Sequence, residues 1–263
     1  MSTMMNSRSK RSPLKDMPLR MAGQSLDERI QKVLEEDAYE TLVVVGFLVV
    51  AAVWEWFRLY YPRPQPVLVT AVAFAGCVGA LYKLRRARKR IKALRLARDG
   101  ERAVAELLDG MRETGYRVFH DLVGPGFNVD HVLVGRHGLF LVETKTISKP
   151  ATGAATVRYD GESVRVGGFE PERDPVQQAS ALAKWVGDLV KESTGRACFV
   201  RPVILYPGWY VEDHFVGPRP LVWVLNPKQF QPFAEREPER LGAEDVKLIS
   251  FHLSRYVRSA APS

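Results

Sequence analysis

"NVDHVLVGRHGLFLVETK", residues 128–145, has the period of two short strands joined by a turn, yet it carries acids where a sheet is apolar. Asp130 interrupts the first apolar run, and Glu143 and Lys145 interrupt the second. Burying an unpaired charge is strongly unfavourable. A Glu-x-Lys on a solvated strand needs no explanation, but the flanks "HVLV" and "LFLV" are too apolar for a strand that faces water. Alternation puts Glu143 and Lys145 on one face. A turn at Arg136-His137 sets Gly135 opposite Gly138, and the same register carries Asp130 across from Glu143. Directly opposed residues have Cβ atoms about 4.5 to 5.5 Å apart. Two carboxylates that close repel each other, and a divalent cation between them removes the penalty. Lys145 is then placed to stabilise developing negative charge or to orient a water. One hairpin supplies the parts for metal-dependent phosphodiester cleavage.

Around this hairpin the chain alternates helix and strand patterns. Upstream, "ERAVAELLDGMRETG" is a helix with an apolar stripe of Val104, Leu107, Leu108 and Met111, ended by Gly115 and opened by Glu101, with a break expected at Gly100. "YRVFHDL" reads as a further strand. Downstream, "TVRYDGESVRV" predicts a hairpin turning on Asp160-Gly161. A helix follows from Pro175 to Lys191, with Asp174 as its cap and Pro175 at an N-terminal position. "ACFVRPVILY" and "PLVWVLN" are strands, and "EDVKLISFHLSRYV" is a closing helix. This order predicts an α/β domain with a mixed sheet flanked by helices. Trp185, Trp209 and Trp223 read as packing residues rather than stacking platforms.

Two dense apolar blocks precede the domain. The first runs from Thr41 to Trp54 and on to Tyr61, and the second from Val67 to Leu84, with "RLYYPRPQP" between them. Neither has a polar face, each is long enough to cross a hydrocarbon core, and Trp and Tyr sit at the edges. The pair reads as a transmembrane helical hairpin, with Glu55 reaching the interface. Ser25 is the expected cap of a short helix leading into it.

The net charge of +8 divides unevenly. Residues 83–98 hold nine Lys or Arg and no acid, whereas residues 99–263 hold twenty basic and twenty-two acidic side chains. The basic excess therefore marks the membrane side rather than a nucleic-acid face of the domain, and it orients both termini toward the cytoplasm at the inner (plasma) membrane. The organisation expected is residues 1–37 disordered or a short cytoplasmic helix, 38–84 two transmembrane helices, 85–98 a basic juxtamembrane helix and 99–263 the α/β domain. Cys77 and Cys198 suggest neither a disulfide framework nor zinc spacing.

"DGERAVAELL", "GYRVFHDL", "NVDHVLVGRHGLFLVETK" and "DPVQQ" together resemble the nuclease-related domain, NERD, over about residues 95–225. That family is similar in pattern to the PD-(D/E)xK nuclease superfamily, so the resemblance implies a restriction-endonuclease-like sheet. It further implies Asp130 and Glu143 as ligands of Mg²⁺ or Mn²⁺, Lys145 as catalytic lysine, Glu101 as accessory acid and Gln178 as a polar contact to substrate or metal, with Gln177 beside it as the competing choice. Val129 stands where the superfamily pattern has Pro, and Asp174 where Asn is expected. His131 should face away from Asp130 as a packed histidine, and His120 and His137 have no assignable partner.

The implied function is a membrane-anchored cytoplasmic nuclease acting on DNA, or else on RNA. The contrasting reading is a scaffold or binding module that keeps the fold with little activity, and a third is a membrane oligomer built by the hairpin and the basic helix. The intact acid, acid and lysine set favours the enzyme. The slightly acidic domain speaks against strong nonspecific affinity for nucleic acid.

Overall fold

A computed structural model describes residues 20–58, 66–149, 155–213 and 218–259. The turn of the apolar hairpin and most of the N-terminal segment fall outside these residues. Helix α1 (Gln24–Val33) passes through a π-helical segment (Leu34–Tyr39) into α2 (Glu40–Phe57). Ser25 is not its cap: Gly23, in the left-handed conformation, holds that position, and the Ser25 hydroxyl is used elsewhere. Helix α3 then runs unbroken from Pro66 to Gly110. Both α2 and the first part of α3 are long and apolar enough to cross a membrane.

The break expected at Gly100 does not occur. A Cβ at Gly100 would lie 1.8 Å from Oγ1 of Thr146, so the glycine lets α3 approach the chain leaving the central hairpin. Val104, Leu108 and Met111 are buried as expected, but Leu107 is exposed and Ala105 takes its place in the core. A 3₁₀ turn (Met111–Thr114) ends at Gly115, whose φ of 93° only glycine adopts without strain.

Strands β1 (Arg117–Gly124), β2 (Phe127–Gly135) and β3 (Gly138–Thr144) form an antiparallel meander. Two parallel strands, β6 (Val200–Leu205) and β8 (Trp223–Leu225), extend it into a mixed five-stranded sheet of order β1-β2-β3-β6-β8. Helices α4 (Pro175–Thr194) and α6 (Ala243–Ser259) pack through Val186, Val190, Ile249 and Leu253 on one side. On the other side α3 packs with α5 (Pro227–Glu235) through Val104, Leu108 and Phe230. Asp174 caps α4 by accepting from the amides of Val176 and Gln177. The expected mixed α/β sheet flanked by helices is what the chain forms.

A second, three-stranded sheet packs against the end of the first through Tyr159, Val157 and Trp209. Its strands are β4 (Thr156–Tyr159), β5 (Val164–Val166) and β7 (Tyr210–Asp213). Tyr159 pairs with Val164, so the loop between β4 and β5 has four residues rather than two. The Asp160 carboxylate closes it by accepting from the Glu162 and Ser163 amides and the Ser163 hydroxyl, a geometry that outcompetes a two-residue turn. Trp209 and Trp223 are core residues, and Trp185 packs edge-on against Phe127.

Candidate active site

Strands β2 and β3 pair Gly135 with Gly138 and His131 with Val142, so Asp130 and Glu143 are the next residues on the two strands. The register of β1 on β2, His120 with His131 and Leu122 with Val129, brings a further acid to the same level, Asp121. Asp121 has φ 53°, a left-handed conformation that Asp tolerates better than most residues. Alternation breaks there: Phe119 and Leu122 enter one core cluster, as do Val129 and Val132 on β2. The kink turns an acid row across three strands toward the space reached by Glu101 from α3 and Gln178 from α4.

Each expected residue has a definite place in this space. The Thr144 amide donates to Oδ2 of Asp130 at 2.7 Å. Gln178, not Gln177, reaches the site: its Nε2 donates to Oε2 of Glu143 at 3.3 Å, and its Oε1 accepts from Nζ of Lys145 at 2.8 Å. Lys145 Nζ lies 3.7 Å from Oε2 of Glu143. Glu143 is only 3% exposed, and its second oxygen, Oε1, is buried with no hydrogen-bond partner among the described residues. Buried polar atoms are nearly always satisfied, so this orphaned carboxylate oxygen is free to accept from a water or to bind a ligand. Glu101 is buried, and its Oε1 accepts from the Gly23 amide at 2.7 Å.

Crowding and burial hold these carboxyls above their ordinary range. Burial first, then the nearby Asp130, pushes Glu101 up to about 8. Burial pushes Asp130 up to about 6, against the opposing pull of the Thr144 amide and Lys145. Glu143 is raised well above a normal carboxyl by burial and by Asp130. Such a cluster lacks positive charge, and Lys145 supplies only part of it. The donors are hard oxygens suited to Mg²⁺ or Mn²⁺. Among the described residues no three His, Cys, Asp or Glu side chains are grouped so as to hold a metal ion. Two carboxylates fit Mg²⁺, which keeps several waters and is commonly held by one or two protein carboxylates.

Two parts of the site escaped the sequence reading. Asp121 is buried and bonded to the N-terminal arm: Nε of Arg20 donates to Oδ2 at 2.8 Å, the Ser25 amide to the same oxygen at 3.0 Å, and the Ser25 hydroxyl to Oδ1 at 2.6 Å. The arm thus covers one flank of the acid row. A turn at Pro125-Gly126 would have predicted Asp121 level with Asp130 by the argument that placed Glu143. Arg20 carries no local signal at all. The histidines also have partners. Nδ1 of His120 meets Nδ1 of His131 at 2.9 Å, Nε2 of His120 meets Asp109 at 3.2 Å, and Nδ1 of His137 donates to the Glu237 carbonyl at 2.5 Å. His131 is fully buried, as a packed histidine should be.

No curated protein and no solved structure matches the chain. A family model does match, from residue 96, in α3 just before Glu101, to residue 207, past the end of β6. That span includes Glu101, Asp130, Glu143, Lys145 and Gln178 and leaves α1, α2, α5 and α6 outside it. The family is the nuclease-related domain, NERD, and the match supports the nuclease-related character read from the order of these residues.

Proposed function

We propose that the protein is a membrane-anchored, metal-dependent nuclease of PD-(D/E)xK type whose cytoplasmic domain hydrolyses phosphodiester bonds in DNA or RNA. The observation that carries this reading is the buried, unpartnered Oε1 of Glu143, next in register to Asp130 and beside the ammonium of Lys145. Asp130 and Glu143 would hold Mg²⁺ or Mn²⁺, which when bound supplies Lewis acidity toward the phosphate and lowers the pKa of a water. Lys145, fixed by the Gln178 oxygen, donates to a phosphoryl oxygen as negative charge grows there. Gln178, bonded to both Glu143 and Lys145, positions the pair. Glu101, with a carboxyl titrating near 8, enters neutral solution largely protonated and limits the charge at the site.

Support for the anchor comes from α2 and α3, whose large apolar side chains point outward on every side, Phe47, Trp54 and Phe74 among them. Gly76 lies against Leu48, so the two helices pack closely. Glu55 is buried and paired with Arg58 rather than left free among apolar neighbours. From Leu84 to Glu101 the continuous helix rises about 26 Å, which sets the carboxylates at a fixed height from the bilayer. A scaffold reading is favoured by the engagement of Asp121 and Glu101 with the arm.

Cleavage assays decide between the two. Full-length protein in detergent, given single- and double-stranded DNA and RNA with and without Mg²⁺ or Mn²⁺, should cleave at least one of them only with metal. No cleavage of any of the four would favour the scaffold. For the anchor, single cysteines at Gln65 and Ser163 in a background lacking Cys77 and Cys198 are exposed to an impermeant reagent on intact cells. The loop position should react and the domain position should not.

A further inference from the structure

A groove of about 1330 Å³ lies away from the carboxylates, between α6 and the start of β1. Its charge is opposite in sign to that of the domain as a whole, with six Lys or Arg against three Glu along its walls. The source is the periodicity of α6. Ile249, Leu253 and Val257 fall on one face and are buried in the core. Lys247, Phe251, Arg255 and Arg258 fall on another face and line the groove, so cations alternate with an aromatic along about 16 Å of helix.

Phe251 is 57% exposed, and the Arg255 guanidinium lies 5.9 Å from its ring centroid. Lys247, and Arg117 on the opposite wall, have no ion-pair partner among the described residues. Arg136 is paired with Glu239 and Arg112 with Asp109, so the excess rests on Lys247, Arg255 and Arg117. An exposed aromatic flanked by cations is the arrangement that stacks a base while neutralising the adjoining phosphates, and it tolerates any sequence.

The groove also extends toward the N-terminal arm that flanks the acid row. A smaller cavity of about 200 Å³ shares Arg112, Val118 and Phe119 with it and extends to Arg20 and His120. Arg20 is the residue bonded to Asp121. Along β1, Arg117 stands four residues before Asp121, about 13 Å at the rise of a strand.

We propose that this groove is the path of a single-stranded nucleic acid, which stacks a base on Phe251, lays its phosphates against Lys247, Arg255 and Arg117, and runs along the edge of β1 to the carboxylates. The proposal rests on the nuclease reading for what happens at the end of the path, but binding in the groove is measurable without cleavage. It places the nucleic-acid affinity of an otherwise acidic domain in one helix face.

Fluorescent single-stranded DNA and RNA oligonucleotides are titrated against the full-length protein in EDTA, in neutral detergent, at several salt concentrations. The variants are Phe251→Ala and the double variant Lys247→Glu with Arg255→Glu, all at exposed positions. The double variant should bind at least tenfold more weakly, with a salt dependence shallower by about two counterions. Phe251→Ala should bind about five- to a hundredfold more weakly with the salt dependence unchanged. Unaltered binding in both variants, or no binding by the parent protein, would overturn the groove as the path. So would variants that keep oligonucleotide affinity and lose affinity for anionic vesicles, which would assign the face to lipid. Binding that depends on the groove without cleavage in Mg²⁺ or Mn²⁺ sustains the groove and refutes the nuclease. Cleavage unaffected by the groove variants does the reverse.

Discussion

Two rows of polar side chains cross β1 and β2 one residue apart, only the second continuing onto β3, where the first meets Val142, and they have opposite fates. In the first row His120 pairs with His131 across the strands, His120 reaches Asp109, and His131 approaches the Thr144 hydroxyl at 3.5 Å. In the second row Asp121 is satisfied by Arg20 and Ser25, but Asp130 and Glu143 share too few donors, and one oxygen of Glu143 has none. His120, His131, Asp121 and Glu143 are all buried, so burial alone does not separate a packed network from a site. What separates them is whether each polar atom has a partner inside the protein.

The comparison predicts that the acid row governs activity and the histidine row governs stability. Asp130→Asn or Glu143→Gln should abolish measurable cleavage while leaving the metal-free protein as stable as the parent or slightly more so, because a repulsion is removed. Lys145→Met should lower cleavage about 10²- to 10³-fold and keep the response to metal. A loss of folding in all three variants, read by circular dichroism, would erase the distinction between the rows.

Asp121 is the acid with both carboxylate oxygens satisfied, by Arg20 and Ser25, and it should behave like a member of the histidine row. Arg20→Gln removes the countercharge of a carboxylate that stays buried, so the full-length protein should lose about 3 to 5 kcal/mol in denaturant unfolding. Asp121→Asn in the same chain should restore a large part of the loss. Additive losses in the double variant would mean that the two side chains do not act as a pair. A truncation at residue 99 removes Arg20, Gly23 and Ser25 together and is therefore a poor host for these measurements. Within the histidine row itself, His120→Ala strands a ring nitrogen of His131 and should cost about 1 to 3 kcal/mol with cleavage retained.

The two rows should also tilt the pH dependence of stability in opposite directions. Burial lowers both His120 and His131 below the usual 6.5, so the unfolded chain takes up protons that the folded chain refuses. Their stabilisation is complete above about 6.5 and is lost as pH falls toward the lowered folded values. Asp130, near 6, and Glu101, near 8, are raised, so the folded chain holds protons that the unfolded chain releases. Their stabilisation is complete below about 4 and is lost as pH rises through 6 and 8. Glu101→Gln should flatten the alkaline side between pH 6 and 8 by about 1 to 2 kcal/mol in metal-free buffer. An unchanged slope would show that Glu101 titrates as an ordinary carboxyl.

Much of the domain is legible in the sequence because its signals are local. The turn at Arg136-His137 sets the register of β2 on β3 and hence the level of Asp130 and Glu143. Asp174 and Pro175 start α4 and so deliver Gln178. Other features depend on distant partners. β7 lies in a Pro- and Gly-rich stretch and becomes a strand only through its parallel pairing with β4. α5 carries Pro232 inside it and is held by an Asn226–Gln229 capping box that outweighs the proline. Gly100 looks like a helix breaker and is instead a contact point with Thr146. Arg20 lies 101 residues from Asp121, and no pattern near either residue announces their pairing.

The shared cation is the central claim, and thermal melting tests it most directly. The full-length protein and its Asp130→Asn and Glu143→Gln variants are melted in EDTA and in excess Mn²⁺ or Mg²⁺, using the preparations taken for cleavage assays. Metal should raise the midpoint of the parent by mass action and leave both variants nearly unmoved. A metal-induced shift of the same size in the parent and both variants would contradict a cation held between Asp130 and Glu143.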